Sequence, residues 1–172
     1  MRSAGMAVAL AAVVMAGCKP NLEGYVLCGN HYREGDQISE TAKLTVRNTG
    51  TANVQGSMTA SSGQPFYKVD LVLSTDRVAP VEFATVPDPY RFEEDMLLQG
   101  GRISTKTVLD GKSVEYSVDD PPELLGLIPP GMPALPTGRD TFYLIAVIDP
   151  GNEIAESDET DNLAVAPFQL TR

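Results

Sequence analysis

Tryptophan is absent from the 172 residues, histidine occurs once and cysteine twice, and 13 Lys and Arg face 23 Asp and Glu. Each shortage closes off a class of function. The lone His31 leaves no basis for His-rich metal hydrolysis, a catalytic triad or a histidine proton relay. A net charge of −10 excludes a protein that neutralises nucleic-acid phosphates or grips an anionic lipid surface. No stretch of helical periodicity reaches convincing length. Glycine (15) and proline (13) are plentiful instead, as in a chain of short strands and many turns. With 42% hydrophobic residues the composition is that of one globular domain rather than a disordered chain.

Arg2 opens an uncharged run, Ser3 to Gly17, that is rich in Ala, Val and Met and ends at Cys18. The run is short for a membrane span, which needs about 20 apolar residues, and reads as a secretory leader. Met15-Ala16-Gly17-Cys18 resembles the lipobox of bacterial lipoproteins, with small residues before the cysteine. Met15 stands where Leu is usual, and Arg2 is the only basic residue of the leader. The resemblance implies cleavage before Cys18, diacylglyceryl transfer to its thiol and acylation of the new amino group. Lys19 at the next position is similar to lipoproteins bound for the outer membrane. An ordinary secretory signal and a simple apolar start are the alternatives. The division expected is a signal over 1–17, a lipidated tether over 18–24 and one domain over 25–172. Cys28 then has no intramolecular partner. It reads as a small buried apolar residue of the first strand, or as one half of an intermolecular bridge.

Alternation with period two marks the strands. Ala42, Leu44 and Val46 alternate with Lys43, Thr45 and Arg47, and the run ends in the turn residues Asn48-Thr49-Gly50. Tyr67, Val69, Leu71 and Leu73 repeat the pattern against Lys68, Asp70 and Ser74. Ile103–Leu109 and Lys112–Val118 flank Asp110-Gly111, a two-residue hairpin signal. Phe142–Ile148 is apolar on both faces, as a central strand would be. Leu163–Leu170 closes the chain, with Pro167 confining its second half to an edge or bulge. Pro122–Ile128 has room for one or two helical turns. The class expected is all-β, an antiparallel immunoglobulin-like sandwich of about seven strands.

Few residues carry chemistry. Asp149, Glu153, Glu156, Asp158, Glu159 and Asp161 crowd into 13 positions, and Asn152 lies among them. Oxygen ligands at this density suit Ca²⁺, so Asp149, Asn152, Glu156, Asp158, Glu159 and Asp161 form the candidate metal set. The spacing is not that of an EF-hand, since Gly151 and Ile154 fall at ligand position 3 and at the invariant glycine. The competing reading is structural: carboxylates and Asn162 bond backbone amides in a hairpin loop. Asp110-Gly111-Lys112-Ser113 ends like a phosphate-binding loop, but Lys106 occupies the leading glycine position. Neither a nucleophile elbow nor a His-Glu-x-x-His pair occurs, and no enzyme activity is expected. Phe66, Phe83, Tyr90, Phe92 and Met96 lie in or beside loops, exposed as binding anchors or capping the core. Phe83, Tyr90 and Phe92, with Leu124, Leu125 and Met132 of the Pro-rich stretch, are the candidate interaction residues.

Three segments are similar to the CARDB family, the cell-adhesion-related domain found in bacteria. They are Leu44-Thr45-Val46-Arg47-Asn48-Thr49-Gly50-Thr51, Leu109-Asp110-Gly111-Lys112-Ser113-Val114, and Ala146 to Asp149 with Asn152 and the ending Glu156 to Asn162. Asp161 replaces the first Asn of the family's usual ending. The segments fall between Tyr25 and Leu170, while Thr85–Leu98 and Asp119–Arg139 exceed the family pattern. The resemblance implies an immunoglobulin-like interaction or spacer module with no shared catalytic site. Three functions are consistent with it. The first is an outer-membrane-anchored lipoprotein that contacts an envelope protein or extracellular polymer. The second is a Ca²⁺- or small-ligand-binding accessory protein, and the third an inhibitor that inserts its Pro-rich loop into an enzyme.

Overall fold

The computed structural model describes residues 18–78, 80, 94–117, 119, 126–129 and 140–171. Among the described residues eight strands are present: β1 (Leu22–Leu27), β2 (His31–Arg33), β3 (Lys43–Asn48), β4 (Val69–Ser74), β5 (Asp95–Ile103), β6 (Ser113–Tyr116), β7 (Thr141–Ile148) and β8 (Leu163–Thr171). They form two sheets, β1-β3-β6 and β2-β8-β7-β4-β5. The chain is therefore an all-β sandwich, with one strand more than the sequence suggests. The extra strand is β2, three residues long, and it runs parallel to β8 where every other pair is antiparallel.

Period-two burial places the core between the sheets. Leu22 and Val26 of β1, with Leu44 and Val46 of β3, meet Val69, Leu71, Leu73, Phe142, Leu144, Ala146, Phe168 and Leu170 from the other sheet. Gly24 lies inward between Leu22 and Val26, where an added Cβ would come within 2.5 Å of Ile148 Cδ1 and 3.1 Å of Ala164 Cβ. The missing side chain is what lets the sheets close at this edge. Two buried tyrosines, Tyr67 and Tyr116, share a 2.7 Å hydroxyl hydrogen bond, and burial pushes both phenols up. Tyr67 donates to Lys106 O and Tyr116 accepts from Lys106 N–H, so neither hydroxyl is stranded in the core.

Several sequence expectations are corrected. Asp110-Gly111 does turn, with Gly111 at φ +65° and Lys112 N–H bonded to Leu109 O, but it closes no hairpin. Val108 bridges Val54, whereas β6 pairs with β3, so this stretch carries the chain from one sheet to the other. β4 is buried on both faces. Asp70 is fully enclosed because Arg102 of β5 grips it through Nε–Oδ1 at 2.7 Å and Nη2–Oδ2 at 2.5 Å. Met96 is 1% exposed inside β5 and is no surface anchor. That strand is masked in the sequence by Gly100-Gly101, where a register shift breaks the alternation. Gly100 has φ +71°, and a Cβ on Gly101 would meet Leu71 O at 2.7 Å. Leu127 is not helical: it bridges both Gln37 and Gln99 as a short extended piece beside β5.

β7 is central, as its apolar run implies. Pro167 is accommodated because odd-numbered amides of β8 point away from β7. Gln169 N–H reaches Asn30 O on that flank, whereas Leu170 N–H bonds back to Asp140 O. β2 begins only opposite Gln169, so the N–H that Pro167 lacks would have faced an open edge.

Candidate functional site

The loop joining β7 to β8 holds the acidic residues. Asp149 and Asn152 both take φ +48°, a region that Asp and Asn enter more readily than other side chains. Asn152 N–H bonds Asp149 O at 2.9 Å, and Asp149 Oδ2 accepts the Ile154 amide at 2.8 Å. Burial nevertheless pushes the Asp149 carboxyl above its ordinary range.

Beyond Ile154 the loop grips the start of the domain. Glu156, 4% exposed, accepts the Leu22 amide at the head of β1. Asn21 Oδ1 accepts from Ser157 Oγ at 2.9 Å and Asp158 N–H at 2.8 Å. Asn21 Nδ2 donates to Asp161 Oδ2 at 2.8 Å and Thr49 Oγ1 at 3.1 Å. Asn48 Oδ1 accepts the amides of Asn21 and Gly50, while its Nδ2 donates to Ala52 O. Pro20 O accepts Ser157 N–H at 2.9 Å, and Lys19 O accepts Thr51 N–H at 2.8 Å. The tether expected over 18–24 is thus bonded into the sandwich from Lys19 onward, and β1 begins at Leu22.

The six candidate metal residues fall into two groups. Asp149, Asn152 and Glu159, with Asn162 and Pro80, line an open cavity of about 360 Å³ beside Val147 and Leu163. Glu156, Asp158 and Asp161 bond Leu22, Thr160 and Asn21 respectively. Glu159 Oε1 also accepts the Glu156 amide at 2.8 Å. Among the described residues no three His, Cys, Asp or Glu side chains converge as a metal site would require. Two buried oxygens in this loop, Asp161 Oδ1 and Asn162 Oδ1, find no hydrogen-bond donor among the described residues, and the Asn162 side chain lies against the Glu156 carboxyl. Desolvation pushes the Glu156 carboxyl up to about 7 against the opposing pull of the Leu22 amide.

Cys18 is exposed. Cys28 follows β1 and is partly buried against the core, its thiol 3.8 Å from Pro167 O and pushed up to about 11 by burial. His31 is exposed in β2, on an open cavity of about 460 Å³ with Asn30, Thr141, Pro167, Phe168 and Gln169. Phe66 is half-buried, with Lys68 Nζ 5.3 Å from its ring centre. Phe83, Tyr90, Phe92, Leu124, Leu125 and Met132 lie outside the described residues. Sequence reasoning passed over Asn21 and Asn48 as organisers of this end. Asn48 carries a turn signal, but Asn21 meets its partners in the acidic loop from 136 to 140 positions away in the chain and has no local signal.

No family model matches the sequence, and no curated protein matches it. Among solved structures, the fold resembles that of an archaeal domain from Pyrococcus furiosus, the CARDB domain of the PF1109 protein. The crystal structure of that domain, in complex with di-metal ions, superposes with a TM-score of 0.49 at 12% identity, covering 89% of this chain and 90% of that one. Its solution structure gives 0.48 at 12% identity over 90% and 98% of the two chains. At this identity the CARDB likeness is one of fold alone.

Proposed function

We propose that this chain is a lipid-anchored protein of the bacterial envelope whose sandwich binds another envelope protein or an extracellular polymer and performs no catalysis. The observation that carries the reading is Cys18 itself, which is exposed and follows the apolar run 3–17 and the small residues Ala16 and Gly17. Acyl chains on that cysteine would fix the domain at the outer membrane, since each buried methylene contributes about 0.8 kcal/mol. Mass spectrometry of the membrane fraction should find acylated Cys18 at the mature N-terminus. Recovery of a soluble protein that retains Met1 would overturn the reading. Crosslinking in intact cells is the experiment that identifies the partner.

A second reading, Ca²⁺ binding at the 149–162 loop, is favoured by two buried oxygens without donors, Asp161 Oδ1 and Asn162 Oδ1. A cation bound in the loop would stabilise the fold by mass action. Millimolar Ca²⁺ should then raise the melting temperature, and an unchanged Tm would leave the loop its structural role. The third function, enzyme inhibition, rests on a Pro-rich stretch of which only Asp119 and 126–129 are described.

A further inference from the structure

We propose that the end of the sandwich bearing Cys18 is a bilayer-facing platform, held against the lipid headgroups because no slack separates the anchor from the fold. This orientation rests on the anchoring read above. Lys19 O is already bonded to the Thr51 amide, Pro20 O to the Ser157 amide, and Lys19 Nζ lies 3.4 Å from Glu156 O. Cys18 is one residue further out, a single Cα step of about 3.8 Å. A flexible linker would let the domain tumble through a radius of about 5–6 Å times the square root of its length. Here the linker has essentially no length.

The direction of the strands then decides which surface faces which way. Leu22 pairs with Asn48 and Leu27 with Lys43, so β1 leads away from the anchored end and β3 returns to it. The turn Leu109–Lys112 is at the same end, since Asn48 N–H bonds Lys112 O and Asp110 N–H bonds Asn53 Oδ1. Leu109 is 50% exposed at that turn, and Lys112 and Lys19 are exposed near it. Leu109 with these amines nearby suits the interface of a zwitterionic bilayer, where the leucine enters and the amines meet phosphates. Asp110 within the turn and Glu153, Asp158 and Glu159 are exposed at this end too and disfavour an anionic surface.

The opposite end lies a strand length away, about 20 Å for six residues. The described ends of the connections 75–94 and 117–140 lie there, while Pro80 of the first reaches the cavity beside Asp149 at the anchored end. Thr75 N–H bonds Glu94 O, Tyr116 pairs with Leu44 early in β3, and Thr141 at the start of β7 pairs with Gln169.

The test uses the acylated full chain, purified from the membrane fraction and reconstituted into phosphatidylcholine vesicles that carry a nitroxide headgroup quencher. In a Cys28→Ser background, a fluorophore is attached at Thr51→Cys or Asp110→Cys, and separately at Glu40→Cys or Asp140→Cys. Quenching at 51 and 110 should exceed that at 40 and 140 at least threefold. A ten-residue Gly-Ser insertion between Cys18 and Lys19 should bring the two ends level. Equal quenching at both ends of the uninserted protein, with the acyl mass present, would overturn the orientation and leave the anchoring reading intact. Absence of the acyl mass would overturn both.

Discussion

Two connections share one end of this sandwich and differ in nearly everything else. Leu109–Lys112 is a tight turn closed by a single backbone bond and open to solvent, and a Cβ on Gly111 would meet nothing within 4 Å. The 149–162 loop is longer and more acidic, yet it is tied down by Asn21, which Asn48 holds in place, and by the first residues of the domain. Composition points the wrong way here. The acidic loop looks like solvated surface, but two of its carboxylates, Asp149 and Glu156, are buried and bonded to backbone amides. A local turn needs only dihedrals that its residues tolerate, whereas a loop that closes the sandwich must satisfy buried polar groups.

Substitutions should separate the two connections sharply. The largest effect is expected for Asn48→Ala, which removes the acceptor shared by Asn21 and Gly50 and strands several buried groups. A loss of about 3 kcal/mol should appear in urea unfolding, at roughly 1 kcal/mol for each hydrogen bond removed. Gly50→Ala should approach this value, because its Cβ would come within 2.4 Å of Pro20 C and 2.5 Å of the Asn21 nitrogen, backbone atoms that cannot swing aside. A cost below 1 kcal/mol for both would show that the clamp contributes little.

The next effect is one of pH. The Glu156 carboxyl has an ordinary value of 4.5 and is held at about 7 in the fold, so between those values the folded protein retains a proton that the unfolded chain releases. Stability should therefore fall as pH rises from about 5 to about 7.5 and then level off. Asp149 and Asp95, whose carboxyls burial also raises, add to the same slope. Glu156→Gln keeps an acceptor for the Leu22 amide and should flatten the slope, giving a higher Tm than wild type at pH 7.5. A slope unchanged by the substitution would assign it to other groups.

The smallest effects belong to the open turn. Gly111→Ala should cost about 1 kcal/mol for its positive φ, because nothing crowds the new methyl group. Leu109→Ala should stay within about 0.5 kcal/mol in solution. A greater loss there would mean that the turn packs more firmly than its exposure indicates.

Much of the fold is legible along the chain. The alternations at 42–47 and 142–148 correspond to β3 and the central β7, because one-sided and two-sided burial each leave a periodic trace. β5 and β2 left none. Gly100-Gly101 interrupts β5 at its register shift, and β2 is only three residues long. Asp70 reads as a solvent-facing residue because its partner Arg102 is 32 positions away. At the acidic loop the sequence supplied the carboxylates and the structural alternative to Ca²⁺, but not the division between cavity-lining and clamp residues.

By itself, then, the amino-acid order determined the all-β class, the principal strands and the site of the turn at Asp110-Gly111, since these follow from steric preference and hydrophobic period within a few residues. Only the tertiary structure decided which strands became neighbours, that Lys19–Leu22 is stitched to a loop more than 130 residues later, and that Glu156 is buried. Those outcomes depend on hydrogen bonds and desolvation between distant segments, for which no local pattern exists.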